Sequence, residues 1–145
     1  MIVLSWNIRG ICKVEKMRVV RSLVDLYIPS ILFLQETKLK SFDNRVVSAL
    51  GGSVLSKGVG VDATGLSSGL ITLWNEDKFD VSDCVTNSRC IFLIREVIAV
   101  KTIIGFCNVY AATVESESKI LWDYCSNREL FSDSVGCRRR FQCGS

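Results

Sequence analysis

Apolar and polar positions along the first 35 residues predict a strand, a helix and a second strand. Met1 to Trp6 and Ile31 to Gln35 are short, almost continuously apolar runs, which are typical of buried strands. Between them, Val14 to Leu26 has apolar residues at helical spacing and charged residues mostly on the opposite face, and Pro29 ends this segment. Because two strands joined by a helix usually pair in parallel beneath it, this opening favours an α/β fold.

The middle of the chain is rich in predicted strands. Glycines and serines between Gly51 and Gly69 indicate turns around a weak strand near Ser53 to Ser56. Further strands are predicted where β-branched and aromatic residues concentrate, at Leu70 to Trp74, Phe79 to Val85, Ile91 to Ile98 and Val100 to Val109. A helix is predicted from Ser116 to Asn127, with Ser116 as its N-cap.

The pattern is lost after about Leu130. Residues 131–145 show no clear hydrophobic periodicity, and Cys137 is followed by a run of arginines. We therefore expect a domain over residues 1–130 and a tail over residues 131–145 that does not belong to it.

Composition narrows the function classes only in part. A hydrophobic content of 48% in 145 residues is enough for the core of one domain, and a net charge of +3 is too small to indicate a nucleic-acid partner by itself. The longest apolar stretch, Ile91 to Val109, is interrupted by charged residues, and the N-terminus lacks the features of a signal peptide. We therefore expect no membrane segment.

The cysteines indicate a reducing compartment. They number seven, are widely spread and show no C-x-x-C spacing, and the chain has no histidine to complete a zinc site. We interpret them as reduced, with no disulfide-linked partner, and expect a nuclear or cytoplasmic protein.

Polar side chains at the C-terminal ends of three apolar runs are the candidate functional residues. Asn7 ends the first run, Glu36 follows the second, and Asn108 and Tyr110 end the last. A carboxylate is a suitable ligand for Mg²⁺, an amide can orient a ligand or a phosphate, and a phenol can donate to a phosphate oxygen. Each residue also has an ordinary explanation, as a solvated strand end, a turn or a half-buried strand residue. It is their joint occurrence in this order that indicates a metal- and phosphate-binding site.

These strings resemble the endonuclease/exonuclease/phosphatase superfamily, which has the DNase I-like fold. The matching strings are Ser-Trp-Asn-Ile-Arg-Gly at 5–10, Leu-Gln-Glu-Thr-Lys at 34–38, Ser-Gly-Leu at 68–70 leading to Leu-Trp-Asn at 73–75, and Asn-Val-Tyr-Ala at 108–111. In detail they are most similar to the nuclease domain of plant LINE-type (non-LTR) retrotransposon polyproteins, with Ile-Leu-Trp-Asp at 120–123 as a further match. The resemblance covers roughly residues 1–127.

The resemblance implies a fold and a site. The fold would be the N-terminal half of a four-layer α/β sandwich, in which two packed sheets are each covered by helices. Glu36 would be the principal ligand of Mg²⁺ or Mn²⁺, Asn7 a metal-binding and catalytic residue, and Tyr110 a catalytic donor to the phosphate. Arg9, Lys38 and Asn108 would contact phosphate or DNA, which is the partner of the intact family.

The later motifs of the family do not occur in this sequence. A Gly-Asp-x-Asn strand end and a final Ser-Asp-His would supply the group that activates water and a histidine, and this chain has no histidine. Ala112 also replaces the proline that usually follows Asn-Val-Tyr-Ala. We therefore expect an inactive fragment of a Mg²⁺-dependent DNA endonuclease of retrotransposon origin. Because we expect its second sheet to be largely absent, we also expect an aggregation-prone half-domain.

Two other functions remain open. A phosphatase of the same superfamily would share the metal-binding residues. A non-catalytic remnant that binds nucleic acid would instead use basic residues near the second motif, Lys38, Lys40 and Arg45.

The codons of residues 131–145 could encode the missing Gly-Asp-x-Asn motif in another reading frame. If Arg139 is encoded by CGG or AGG, and Arg140, Phe141 and Gln142 by AGA, TTT and CAA, a reading frame displaced by one nucleotide gives Gly-Asp-Phe-Asn at this point. Our hypothesis is that most of residues 131–145 is an out-of-frame translation. The alternative is a basic tail whose codons merely permit this reading.

Overall fold

Two four-stranded sheets and two helices form the part of the chain that the computed structural model describes, residues 1–65, 67–97, 102–110 and 137–140. The elements in chain order are β1 (Val3–Asn7), α1 (Val14–Tyr27), β2 (Ile31–Gln35), α2 (Asn44–Gly51), β3 (Lys57–Val61), β4 (Leu70–Trp74), β5 (Asp83–Asn87), β6 (Cys90–Val97), β7 (Thr102–Val109) and β8 (Cys137–Arg140). The first sheet has the strand order β1-β2-β4-β3, and the second has the order β7-β6-β5-β8.

The first sheet is built on the predicted strand, helix, strand unit. β1 and β2 are parallel, with Asn7 opposite Gln35, and β4 pairs antiparallel with both β2 and β3. The predictions for β2 and β4 are confirmed to the residue. Both are central strands whose two faces are covered, so their apolar runs are continuous.

β1 differs from its prediction as a buried strand. Val3 and Trp6 are exposed to 38% and 37%, because β1 is the end strand of the first sheet and has β2 as its only neighbour among the described residues. The prediction of burial is therefore wrong for β1. The apolar composition of β1 does not reveal its position at the end of the sheet.

Both helices cover one face of the first sheet. Leu32 and Leu34 of β2 face them, and the buried residues of this cluster are Ile8, Ile11, Val20, Val24, Leu32, Leu34, Val46, Val47, Leu50, Leu55, Ile71 and Leu73. The sequence did not predict α2, which is only eight residues long. Asp43 caps it by accepting hydrogen bonds from the backbone N–H groups of Arg45 and Val46. The hydrogen bond from the Arg45 side chain, together with these backbone bonds, holds the pKa of Asp43 below its ordinary value.

A second cluster of buried residues lies between the two sheets. Ile31 and Phe33, which alternate with the helix-facing leucines of β2, point into it. The cluster comprises Ile31, Phe33, Val59, Leu70, Trp74, Phe79, Val81, Cys84, Ile91 and Leu93. The expectation that the second sheet is largely absent is therefore wrong, since four of its strands are present and β4 is buried throughout. Aggregation stays a prediction, but it has lost this premise.

The remaining differences concern element boundaries. The strand expected near Ser53 to Ser56 lies at Lys57–Val61, and the one expected from Phe79 begins at Asp83. The predicted helix from Ser116 to Asn127 lies outside the described residues.

A strand that the sequence did not indicate, β8, lies within the tail and pairs antiparallel with β5. Among the described segments, no helix is long and apolar enough to cross a membrane.

Candidate active site

The ends of β1 and β2 bring Asn7 and Glu36 together. Because the two strands are parallel and Asn7 is opposite Gln35, the residue after Gln35 lies beside Asn7 at the same edge of the sheet. The Asn7 side-chain Nδ2 donates a hydrogen bond of 2.9 Å to Oε1 of Glu36. The side chains of Asn7 and Glu36 therefore meet at one edge of the sheet.

The backbone at Glu36 is unusual and firmly held. Its φ of 52° lies in the left-handed region, which is unfavourable for a residue with a side chain and is often found at functional sites. The Gly10 N–H donates to the Glu36 carbonyl at 2.7 Å, and on the other side Thr37 N–H donates to the Gly69 carbonyl at 3.1 Å. The Glu36 loop, residues 36–38, is thus held between the segment after β1 and the segment before β4.

A cavity of about 470 Å³ opens beside this pair. It is lined by Ser5, Asn7, Phe33, Gln35, Glu36, Cys107, Val109 and Tyr110. Tyr110 follows β7, and its backbone N–H donates to the Arg89 carbonyl at 2.9 Å. Asn7, Glu36 and Tyr110, which come from three separate parts of the sequence, therefore line one cavity between the two sheets.

Asn108 occupies a different position. Its side chain is 1% exposed and does not line the cavity. Its Nδ2 donates to the Ile71 carbonyl at 2.9 Å, and its Oδ1 accepts a hydrogen bond of 2.7 Å from Nε2 of Gln35. This placement does not support the predicted direct contact with phosphate, because the amide is already engaged inside the protein.

Arg9 and Lys38 are exposed and lie outside the cavity lining. Each follows a cavity residue by two positions, and each has a positive φ, 52° and 57°. Lys16, which the sequence argument did not single out, places its Nζ 2.7 Å from the Ile8 carbonyl. Its charge is thereby directed at the backbone that follows β1.

Ser5 and Gln35 are cavity residues that the sequence analysis missed. Ser5 stands two positions before Asn7 on β1, and so on the same face, which is the signal that could have found it. Gln35 is the last residue of β2, and its Nε2 donates to Ser5 Oγ at 3.2 Å. Both are polar residues in otherwise apolar runs.

The oxygen atoms in the cavity fit a hard cation, but the donor set is small. Glu36 is the only carboxylate among the lining residues, and Asn7 can add an amide oxygen. Within the described ranges, no group of three or more His, Cys, Asp or Glu residues could hold a metal ion. Mg²⁺ often keeps several waters and takes one or two carboxylates together with substrate phosphates, so Glu36 and Asn7 amount to part of such a site.

Comparisons with known proteins bear on the fold. No protein-family model matches the sequence, and a search of curated proteins finds no match. Among solved structures, the AP endonuclease LMAP from Leishmania major is similar, with a TM-score of 0.55 and 18% sequence identity. The match covers 83% of this chain and 43% of that chain. The DNase I-like α/β fold predicted from the motifs is thereby confirmed, and the chain spans less than half the length of this neighbour.

Proposed function

We propose that this chain is the metal- and phosphate-binding part of a Mg²⁺-dependent phosphodiesterase that acts on DNA, and that the chain alone is not catalytic. The observation that carries the proposal is the hydrogen bond between Asn7 and Glu36 in a cavity that Tyr110 also lines. The solved neighbour with this fold is named as an AP endonuclease, which supports DNA as the substrate class.

Three cavity residues and two exposed basic residues have roles in this proposal. A bound Mg²⁺ would neutralise charge on the phosphate, and Glu36 is the residue that would hold it. Asn7 orients the Glu36 carboxylate through its N–H group and keeps its carbonyl oxygen available for the cation or for water. Tyr110 donates a hydrogen bond from its phenolic O–H to a non-bridging phosphate oxygen. Arg9 and Lys38 contact the DNA backbone outside the cavity.

The proposed lack of activity follows from the side chains that line the cavity. Hydrolysis needs a group that takes a proton from water, and Glu36 is the only acidic residue among the lining side chains. The chain has no histidine that could share this work. Binding without turnover is therefore the expected behaviour of the isolated chain.

Mn²⁺ titration followed by electron paramagnetic resonance tests the metal assignment. We expect weak binding that Glu36→Gln abolishes and that Glu15→Gln, at an exposed carboxylate in the first turn of α1, leaves intact. Equal binding by the parent chain and Glu36→Gln would contradict the assignment. Supercoiled plasmid with Mg²⁺ should remain uncut, and nicking that depends on Glu36 would contradict the proposed inactivity.

We also propose that the chain originates from a plant LINE-type retrotransposon and that most of residues 131–145 is translated out of frame. Both proposals are tested on DNA. Genomic sequence downstream of the Trp122 codon, read in all three frames, should continue into the missing motifs. The displaced frame requires AGA or CGA as the Arg140 codon, because the other four arginine codons remove the aspartate from Gly-Asp-Phe-Asn. Any other codon at this position rules out the frameshift.

Exposed Lys38, Lys40 and Arg45 favour one alternative function, a non-catalytic remnant that binds DNA through its phosphates. Such binding would weaken steeply with salt and would not need a divalent cation. This alternative would be favoured if Lys38→Ala loses DNA affinity, Glu36→Gln keeps its DNA affinity, and neither variant binds Mn²⁺.

A further inference from the structure

We propose that Asn108 is a positioning residue, whose buried amide ties β7 to the first sheet and thereby sets the separation of Tyr110 from Glu36. This inference rests on the proposed function, since it concerns the same cavity. It assigns to Asn108 a role through other residues, in place of the contact with phosphate that the motif implies.

Asn108 has a defined position between the two sheets. It lies on β7, two residues before Tyr110, and points into the space between the sheets, where Ile91 is its partner across the ladder. The central strands of the first sheet receive its amide. Nδ2 donates to the Ile71 carbonyl at 2.9 Å and to Thr72 Oγ1 at 3.1 Å, and lies 3.3 Å from the Leu34 carbonyl.

Asn108 is also linked to residues that line the cavity. Oδ1 of Asn108 accepts a hydrogen bond of 2.7 Å from Nε2 of Gln35, and the same nitrogen donates to Ser5 Oγ at 3.2 Å. Gln35 and Ser5 both line the cavity, and Gln35 directly precedes Glu36. A continuous polar network therefore joins the strands that carry Tyr110, Glu36 and Asn7.

Contacts other than those of Asn108 also join the two sheets. The described inter-sheet cluster is otherwise apolar; for example, Phe106 of β7 meets Phe79 edge-to-face with ring centroids 5.0 Å apart. Apolar burial is largely non-directional, so it holds the sheets together without fixing how β7 lies along the first sheet. Hydrogen bonds depend strongly on distance and angle, and they do fix it.

Burying the amide of Asn108 requires that its hydrogen bonds be satisfied. A buried polar group is unfavourable unless it is hydrogen-bonded, whereas a fully satisfied network specifies one arrangement. Both ends of the Asn108 side chain are satisfied. Removing the amide should therefore affect the cavity as well as the stability.

The experiment uses Tb³⁺ as a luminescent substitute for the divalent cation, in the whole chain. Energy transfer from a tyrosine to bound Tb³⁺ falls steeply with distance, so the difference in emission between each protein and its Tyr110→Phe version reports the separation of Tyr110 from the cation. Glu36→Gln should abolish binding. Asn108→Ala should weaken Tb³⁺ binding by about tenfold, the lower end of what is found for residues that orient metal ligands, and should reduce the emission due to Tyr110.

Thr72→Val is the matched control. It removes one acceptor from the same buried amide and leaves the bonds to Gln35 and Ile71 in place. We expect it to lower the melting temperature without changing Tb³⁺ affinity or the emission due to Tyr110. If Asn108→Ala does not fold, Gln35→Met removes the link to Oδ1 and is measured in the same way.

The outcomes separate this inference from the proposed function. If Asn108→Ala, or Gln35→Met in its place, only melts at a lower temperature and keeps parental affinity and emission, the positioning role is wrong and the metal site stands. If the parent chain and Glu36→Gln bind Tb³⁺ equally, the proposed function fails and this inference fails with it.

Discussion

Replacement of Leu93 by alanine tests whether the two sheets share one cooperative core. Leu93 lies on β6, is 0% exposed and belongs to the inter-sheet cluster together with Trp74 of the first sheet. A second sheet that packs only loosely on the first would tolerate this change. A shared core would not.

The expected magnitude follows from the complete burial of Leu93. Each buried methylene contributes about 0.8 kcal/mol of transfer free energy. The space left behind adds to this loss, so fully buried leucine-to-alanine changes destabilise by about 3–5 kcal/mol. Since a domain of this kind is stable by only about 5–15 kcal/mol, Leu93→Ala should remove a large part of the free energy of unfolding.

Urea denaturation followed by tryptophan fluorescence measures the effect. With a urea dependence of about 2 kcal/mol/M, the midpoint should fall by about 2 M. Leu73→Ala, in the cluster beneath the helices, should shift the same single transition, and Leu26→Ala, at a residue 70% exposed, should shift it little. A change below about 0.5 kcal/mol for Leu93→Ala, which is typical of surface substitutions, would refute the shared core.

Two further predictions concern the Glu36 loop and α2. Gly69→Ala should destabilise by about 1–3 kcal/mol in urea denaturation, because φ is +88° and the new Cβ would meet Thr37 Oγ1 and, at 3.3 Å, the Lys38 backbone nitrogen. Gly65→Ala is the control, since Gly65 has φ of +54° with nothing within 4 Å of the new Cβ; an equal effect of the two changes would refute the steric part. The lowered pKa of Asp43 stabilises the fold above the ordinary value of 3.8, and this contribution is lost as the pH falls through the folded-state pKa. Thermal melts from neutral to acidic pH should show a smaller acid-dependent loss in Asp43→Asn than in the parent, and identical pH profiles would contradict the assignment.

Local patterns predicted the central elements well. β2 and β4 could be read from sequence because both of their faces are buried, so their residues are apolar apart from Gln35 at the end of β2 and Thr72 within β4. The amphipathic spacing of α1 was equally clear, and that helix ends one residue later than predicted. In these segments, local pattern and tertiary position agree.

Elements whose character depends on distant partners were predicted less well. α2 is short and α1 packs beside it, and β8 pairs with the distant strand β5. β1 has the composition of a buried strand, yet lies at the end of its sheet. A sequence read alone does not reveal which neighbours a segment will have.

The candidate site shows the same division. Asn7 and Glu36 could be placed together because both follow strands of one parallel pair. The engagement of Asn108 with Gln35 joins residues 73 positions apart and depends on how the sheets face each other. No local pattern around Asn108 could have distinguished this amide from one exposed to a ligand.

The cavity residues come from two different sheets. Asn7 and Glu36 follow the parallel strands β1 and β2, whereas Tyr110 follows β7 of the second sheet. The cavity therefore lies where the two sheets meet. A change in how the sheets pack would alter its width even if each sheet kept its own strand order.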